Sequence, residues 1–222
     1  MAAGALGKAY DATWGRAFAR FYDRALKAAE ENGLREMRTS LLADARGRVV
    51  EIGAGTGVNL GLYGPEIEDL TLVEPDEHMS ARLREKLTPG DAAPHPPRRL
   101  VEAPAEALPF TADTFDTGVA TLVLCTVPDP GAALAELARV IKPGGRLLFL
   151  EHVRSADANR ARWQDRFEKP WRFLADGCHC NRDTAATLGT SPFTLERLTD
   201  GKMPKAMPIV RPLISGSAVL AG

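Results

Sequence analysis

An α/β fold built on a mostly parallel sheet is what this sequence predicts, on three observations. Short apolar runs alternate with amphipathic stretches across residues 48–153. The first run, Val49-Val50-Glu51-Ile52, breaks into glycines at alternate positions in GAGTG, and the second, Leu70–Glu74, ends on an acid. Strands that alternate with helices are joined by crossovers, which places them parallel and buries both faces of the sheet. With 222 residues the chain holds one sizeable α/β domain and terminal additions. We divide it into a helical cap (1–45), a core (46–153), and a helical insert with terminal strands (154–222).

Taken in order, Trp14, Phe18, Phe21, Tyr22, Ala25, Leu26 and Ala29 recur at three- and four-residue steps, a helix with one apolar face. A second helix runs from Leu34 to Ala43. Arg48–Ile52 reads as a buried strand and Thr56–Tyr63 as a short helix. Leu70–Glu74 is the next strand, followed by a helix over Glu77–Leu87 capped by Asp76. A Pro-rich linker, PGDAAPHPP, leads to the strand Arg99–Ala103. Phe115–Val123 is strand-like, Gly131–Ile141 is helical between Pro130 and Pro143, and Gly145–Val153 is again a strand. A helix over Asn159–Leu174 and a loop precede two strands, Phe193–Leu198 and Val210–Leu220. These two close as a hairpin-like pair, so one antiparallel edge strand is expected.

The bulk numbers exclude several classes. Hydrophobic residues make up 45% and charged residues 26%, ordinary for a globular protein. A balance of 28 basic against 29 acidic side chains gives −1, so no global field recruits nucleic acid or an anionic membrane. Neither a signal peptide nor a membrane span is indicated, and three cysteines do not form a disulfide framework. The expected location is the cytoplasm.

The glycine turn asks what it holds. A dinucleotide-binding turn spaces its glycines G-x-G-x-x-G, whereas Gly53, Gly55 and Gly57 follow G-x-G-x-G, with Val58 where the third would stand. No Lys follows, and Arg48 is the one basic residue between Gly47 and Gly64. Phosphate is therefore weakly supported, while a carboxylate suits backbone N–H groups and a helix N-terminus. About twenty residues on, a carboxylate at Glu74 can accept both hydroxyls of an unphosphorylated ribose and would repel a 2′-phosphate. The loop Ala103–Phe110 brings Glu106 near an adenine edge, and Met79 offers an apolar contact to the adenine face.

Here the chain resembles the class I S-adenosylmethionine-dependent methyltransferases. EIGAGTG, the strand-ending Glu74, AEALPF and LARVIKPGG (residues 137–145) carry the resemblance, over roughly residues 45–153. It implies a Rossmann-like, seven-stranded, mostly parallel sheet in the order 3-2-1-4-5-7-6, with strand 7 antiparallel. It also implies S-adenosyl-L-methionine as cofactor, methionine end on the glycine turn and ribose on Glu74. The candidate cofactor contacts are Tyr10, Glu51, Gly53, Ala54, Gly55, Thr56, Gly57, Asn59, Glu74, Pro75, Met79, Ala105, Glu106, Ala107, Thr121 and Leu122.

For the methyl acceptor, residues 121–128, TLVLCTVP, lack the Asn/Asp-Pro-Pro-Tyr of amino-methylating nucleic-acid enzymes. TLVLCTV, RVIKPGG, FLEHV, Pro170-Trp171, Asp176-Gly177-Cys178, Asn181-Arg182 and Val210-Arg211-Pro212 resemble the methyltransferase-like-7 type of thiol S-methyltransferases. The resemblance implies a small apolar thiol as acceptor. Membrane-bound animal members have a hydrophobic N-terminal anchor, and this chain begins instead with an amphipathic helix. A thiol of ordinary pKa, about 8.5, needs only a modest base or a local positive charge. His152, past a parallel strand's carboxyl end, is the first candidate for accepting the proton or orienting the acceptor, against a purely structural alternative. Glu151 either fixes its tautomer or points to the opposite face. Asp176 is a second candidate for orienting the acceptor, unless DGC is simply a turn. Cys178-His179-Cys180 lacks zinc spacing and no metal is expected. Trp163, Phe167, Trp171 and Leu174 recur at helical spacing and read as core packing that also walls an acceptor pocket. Arg154, Arg160, Arg162, Arg166 and Arg172 read as a solvated face, with a weak contact to anionic lipid as the alternative. Against the thiol reading stand O-, N- or C-methylation of a quinone, lipid amine or natural product. An NAD-type oxidoreductase or a non-catalytic binding protein stands further off.

Overall fold

Branched and apolar side chains dominate the four central strands, and the fold follows from burying them on two sides. The computed structural model describes residues 11–87 and 96–222. Its elements are α1 (Arg16–Ala29), α2 (Arg35–Leu42), β1 (Gly47–Ile52), β2 (Ile67–Val73), α3 (Glu77–Leu87), β3 (Arg98–Val101) and β4 (Phe115–Thr121). Then come α4 (Pro130–Val140), β5 (Ile141–His152), α5 (Ala158–Leu174), α6 (Thr184–Gly189), β6 (Phe193–Lys202) and β7 (Pro212–Leu220). One seven-stranded sheet has the order β3-β2-β1-β4-β5-β7-β6. Every pair from β3 to β5 is parallel, and β7 runs antiparallel to both β5 and β6.

Val50, Ile52, Phe115, Leu147 and Phe149 pack on one face with α4, while Val49, Leu72, Leu148 and Leu150 pack on the other with α2 and α3. Adjacent strand residues thus serve opposite cores, the period of two that a doubly covered sheet requires. The caps are local chemistry. Asp76 Oδ1 accepts the N–H groups of His78 and Met79 at 2.9 and 2.8 Å, and Asp129 accepts that of Ala132 at 3.0 Å with Pro130 next in line.

Three expectations change. The antiparallel strand is β7, which lies inside the sheet as the family order implied, and the edge, where the hairpin-like pattern placed the antiparallel strand, belongs to β6. The apolar and small residues of β7 are mostly buried, while the charged FTLERLTDGK of β6 is mostly exposed; charge on an edge strand also discourages further pairing. Thr56–Tyr63 is a run of turns in place of a helix. Gly57 N–H donates to Ala54 O, Leu60 N–H to Gly57 O and Leu62 N–H to Asn59 O, each one residue short of the α-helical ladder. Gly57 at φ +77 breaks the helical path. Finally, α6 interrupts the loop expected after α5, capped by Asp183, which accepts Ala186 N–H at 2.9 Å. The Pro-rich linker lies mostly outside the described residues.

Candidate active site

The carboxyl ends of β1, β2, β4 and β5 converge, as they must when parallel strands share one sheet. Gly53, Gly55 and Gly57 turn the chain with φ of +59, +55 and +77. A Cβ on Gly55 would meet nothing within 4 Å, so open space lies over the turn. Glu74 closes one side of that space. Its Oε2 accepts Gly55 N–H at 2.7 Å and its Oε1 accepts Asp76 N–H at 2.9 Å. Each carboxylate oxygen keeps a further lone pair for a hydroxyl donor. Burial, at 6% exposure, lifts the Glu74 pKa to about 7 despite those two N–H groups.

Beneath the turn lies a buried polar network. Glu51 accepts from Asn59 Nδ2 at 2.8 Å and from the Tyr63 hydroxyl at 2.6 Å. Burial raises its pKa, and it pushes that of Tyr63 well above the ordinary phenol range, after burial itself. Asn59 Nδ2 also reaches Thr121 Oγ1 at 2.9 Å. Arg38 of α2 completes the network. Its Nη1 donates to Asn59 Oδ1 at 3.1 Å and to Thr121 Oγ1 at 3.0 Å, and its Nε to Glu30 at 3.0 Å. The side chain is 1% exposed, and Nη2 donates to no group among the described residues. A guanidinium buried with donors to spare fits an anion.

Nothing in the sequence reading singled out Arg38, though a signal existed. It shares the spacing of Leu34, Leu41 and Leu42, so a charge occupies the apolar face of a short helix. Its charge also replaces what the missing helix would have supplied. With Thr56–Tyr63 in turns, no helix directly follows the glycine turn to aim its N-terminus at it, and the buried positive charge beneath the turn is Arg38.

Of the other candidates, Ala54 and Thr56 are buried, with Ala54 N–H on Val73 O and Thr56 Oγ1 bonded to Asp23 of α1. Leu122, just past β4, holds φ +57, a left-handed conformation costly for leucine, and donates its N–H to Leu150 O at 2.7 Å. Pro75 follows Glu74 on the same rim, and Met79 is buried at the start of α3. Ala105, Glu106 and Ala107 lie in the loop after β3, where Glu106 accepts Asp129 N–H at 3.1 Å. Tyr10 lies outside the described residues.

Glu151 and His152 point to opposite faces. Glu151, fully buried, accepts Val123 and Leu124 N–H at 3.0 Å and Cys125 N–H at 3.3 Å, and burial raises it to about 7. It therefore shapes the loop after β4 and leaves the His152 tautomer alone. Burial lowers His152 to about 4, against the pull of the Pro212 and Val210 carbonyls, with Arg38 adding to the fall. Its Nδ1 is buried and has no partner among the described residues. Asp176 and Gly177 stand at φ +46 and +93, with Gly177 N–H on Arg172 O, so DGC closes α5 as a C-terminal turn. The Asp176 charge nonetheless reaches Glu74.

Tyr22 of α1 marks the remaining wall. Burial pushes its phenol to about 12, and Arg38, Cys125, Cys178 and Glu74 all lie within electrostatic reach of it. The sulfurs of Cys125 and Cys178 are 3.7 Å apart, Cys180 Sγ lies 3.8 Å from Gln164 O, and all three cysteines are free thiols. Burial pushes Cys180 to about 12. Trp163, Phe167 and Leu174 do not wall this space. They are exposed, and Trp171 alone of that set is half-buried.

Residues 50–149 match the family described as a methyltransferase domain. The chain is 35% identical over 80% of its length to thiol S-methyltransferase TMT1B of Homo sapiens, covering 73% of that protein. The chain belongs to the family of these S-adenosylmethionine-dependent methyltransferases. It is also 37% identical to phosphatidylethanolamine N-methyltransferase of Cereibacter sphaeroides, over 52% of this chain and 56% of that one. Among solved structures, an S-adenosylmethionine-dependent methyltransferase of Thermotoga maritima superposes with TM-score 0.64 at 21% identity, covering 94% of this chain and all of that one. Geranyl diphosphate C-methyltransferase of Streptomyces coelicolor, solved with S-adenosyl-L-homocysteine, does so with TM-score 0.65 at 10% identity, over 86% and 82% of the two chains. The methyltransferase is thus an enzyme that uses S-adenosylmethionine. The residues fit that group: open space over Gly55, acceptor lone pairs on Glu74 and spare donors on Arg38.

Proposed function

We propose that this methyltransferase transfers a methyl group to a small apolar thiol. The likeness to proteins named thiol S-methyltransferase, over four-fifths of the chain, carries this reading. Bound S-adenosylmethionine supplies a methyl group already activated by its sulfonium charge. The chain's own residues bind, orient and exclude water.

Glu74 takes the two ribose hydroxyls on its free lone pairs, and Arg38 Nη2 takes the methionine carboxylate. Backbone of Gly53, Ala54, Gly55, Thr56 and Gly57 lines the methionine end, with Glu51 and Asn59 beneath and Thr121 and Leu122 opposite; Tyr10 is retained as a contact on the sequence alone. Pro75, Met79, Ala105, Glu106 and Ala107 flank the adenine. Tyr22, Cys125 and Cys178 border the acceptor side. With its pKa near 4, His152 is neutral at pH 7 and a weak base toward a thiol. We therefore assign it to orienting the acceptor, with Asp176, whose charge reaches Glu74, as a second candidate for that role. The acceptor's proton leaves to solvent before attack, which the ordinary thiol pKa permits at a few per cent of molecules. Free cysteines suit a reducing, cytoplasmic setting.

The purified chain, incubated with methyl-labelled cofactor and a panel of alkyl thiols, phenols and amines, should yield labelled thioether and no other product. A labelled ether or amine without thioether overturns the acceptor and leaves the cofactor reading intact. The likeness to the phosphatidylethanolamine enzyme keeps a lipid amine in that panel.

A further inference from the structure

The helix α5 is attached to the molecule by the wrong face for an ordinary amphipathic helix. Its buried residues are Ala161 and Gln164. Gln164 Nε2 lies 3.1, 2.6 and 2.8 Å from the carbonyls of Val153, Cys180 and Ile209, and its Oε1 accepts Ser155 N–H at 2.8 Å. Trp163, Phe167, Pro170 and Leu174 follow at steps of four, three and four, one continuous stripe, and it faces outward. Trp163 is 55% exposed, Phe167 41% and Leu174 52%. The two aromatic rings stack on each other at 5.5 Å and on no third ring among the described residues. An exposed stripe of large apolar side chains marks an interaction surface.

Charge decides what the surface meets. The helix carries five basic and two acidic residues. Both acids lie away from the stripe and are engaged, Asp165 with Arg154 and Asn181, Glu168 with Arg172 and His179. Arg160 borders the stripe on one side, and Arg162, Arg166 and Lys169 on the other. None of these four makes an ion pair among the described residues. Aromatics between unneutralised basic rims are the pattern of a helix lying in the surface of an anionic bilayer, rings among the acyl chains and cations at the headgroups.

We propose that α5 docks this methyltransferase, parallel to the surface, on membranes that carry anionic lipid. No helix among the described residues is long and apolar enough to cross a membrane, so the contact is peripheral. It sets the turn Asp176–Cys178, at the end of α5, beside the bilayer, where apolar acceptors partition. Docking does not depend on which acceptor is methylated.

Co-sedimentation of the full chain with phosphatidylglycerol–phosphatidylcholine vesicles, against phosphatidylcholine alone, tests it. Binding to the anionic vesicles only is expected, with a blue shift of tryptophan emission that Trp163→Phe abolishes. Arg162→Gln and Arg166→Gln should each weaken binding about five-fold. Trp163→Ala with Phe167→Ala should weaken it at least about ten-fold. Both aromatics are exposed, so these variants keep the fold, checked by circular dichroism. Absence of binding at low salt overturns the proposal, as does binding that the double variant leaves unchanged. Self-association in sedimentation equilibrium that the double variant abolishes also overturns it, by assigning the stripe to a second copy of the chain.

Discussion

The floor of the cofactor site and the helix α5 invert each other's chemistry. Under the glycine turn, Glu51, Asn59 and Arg38 are polar or charged and at most 1% exposed. On α5, Trp163 and Phe167 are apolar and exposed. Burying charge is tolerated when partners surround it, and the network under the turn supplies them. Exposing a Trp–Phe stripe needs no internal partner, only an external one. The two departures from inside-apolar, outside-polar fit the two proposed ligands: a small anion at the spare donor of Arg38 in the first region, a surface in the second.

The comparison breaks most readily at Glu74. On the proposed ribose contact, Glu74→Ala would remove two charge-assisted hydrogen bonds to hydroxyls, each about 1.5–3 kcal/mol, and calorimetry should find S-adenosylhomocysteine affinity reduced about 100-fold or more. Next, Gln164→Leu leaves buried carbonyls and the Ser155 N–H without a partner at about 1–3 kcal/mol apiece. Urea unfolding should show a loss near 3 kcal/mol with cofactor affinity little changed. Arg38→Gln should weaken S-adenosylhomocysteine binding about 10-fold, the loss of one charged contact, with the acceptor KM unaffected. An unchanged affinity would return Arg38 to a structural role.

A smaller effect concerns pH. Glu74 and Glu151 have folded pKa values near 7, above their unfolded values, so they stabilise the apo protein at low pH and lose that contribution as pH rises through 7. His152, lowered to about 4, works the other way, and its contribution is lost as pH falls from 6.5 toward 4. His152→Gln should therefore make stability climb more steeply on acidification through that interval, read from urea midpoints. The smallest effect is on the outer stripe: Trp163→Ala should change stability by no more than about 0.5 kcal/mol. A larger loss would mean the ring packs inward.

Much of this was legible in the residues. The alternation of strands and helices, the glycine turn, Glu74 at its strand end and the Asp76 cap rest on local patterns that act within a few residues, whereas the strand order, as observed, came from the resemblance to the methyltransferase family. The exceptions share a cause. Thr56–Tyr63 has helix-like spacing, but Asn59 and Tyr63 are drawn down onto Glu51, and Gly57 lets the chain bend to reach it. The hairpin-like pattern put the antiparallel strand at the edge, but β7, the less polar of the pair, is the one buried inside, as the family order implied.

The residues alone carried the alternation of strands and helices and the acid at the end of the second strand, because each follows from contacts between near neighbours in the chain, and their motifs carried the cofactor class through the family resemblance. Only the tertiary structure decided that Arg38 meets Asn59 and Thr121, that Glu151 and His152 serve opposite faces, and that the aromatic stripe of α5 looks outward. A period tells which residues share a side of a helix. Which side is buried depends on the partners that distant segments bring, and for α5 three backbone carbonyls around Gln164 settled it.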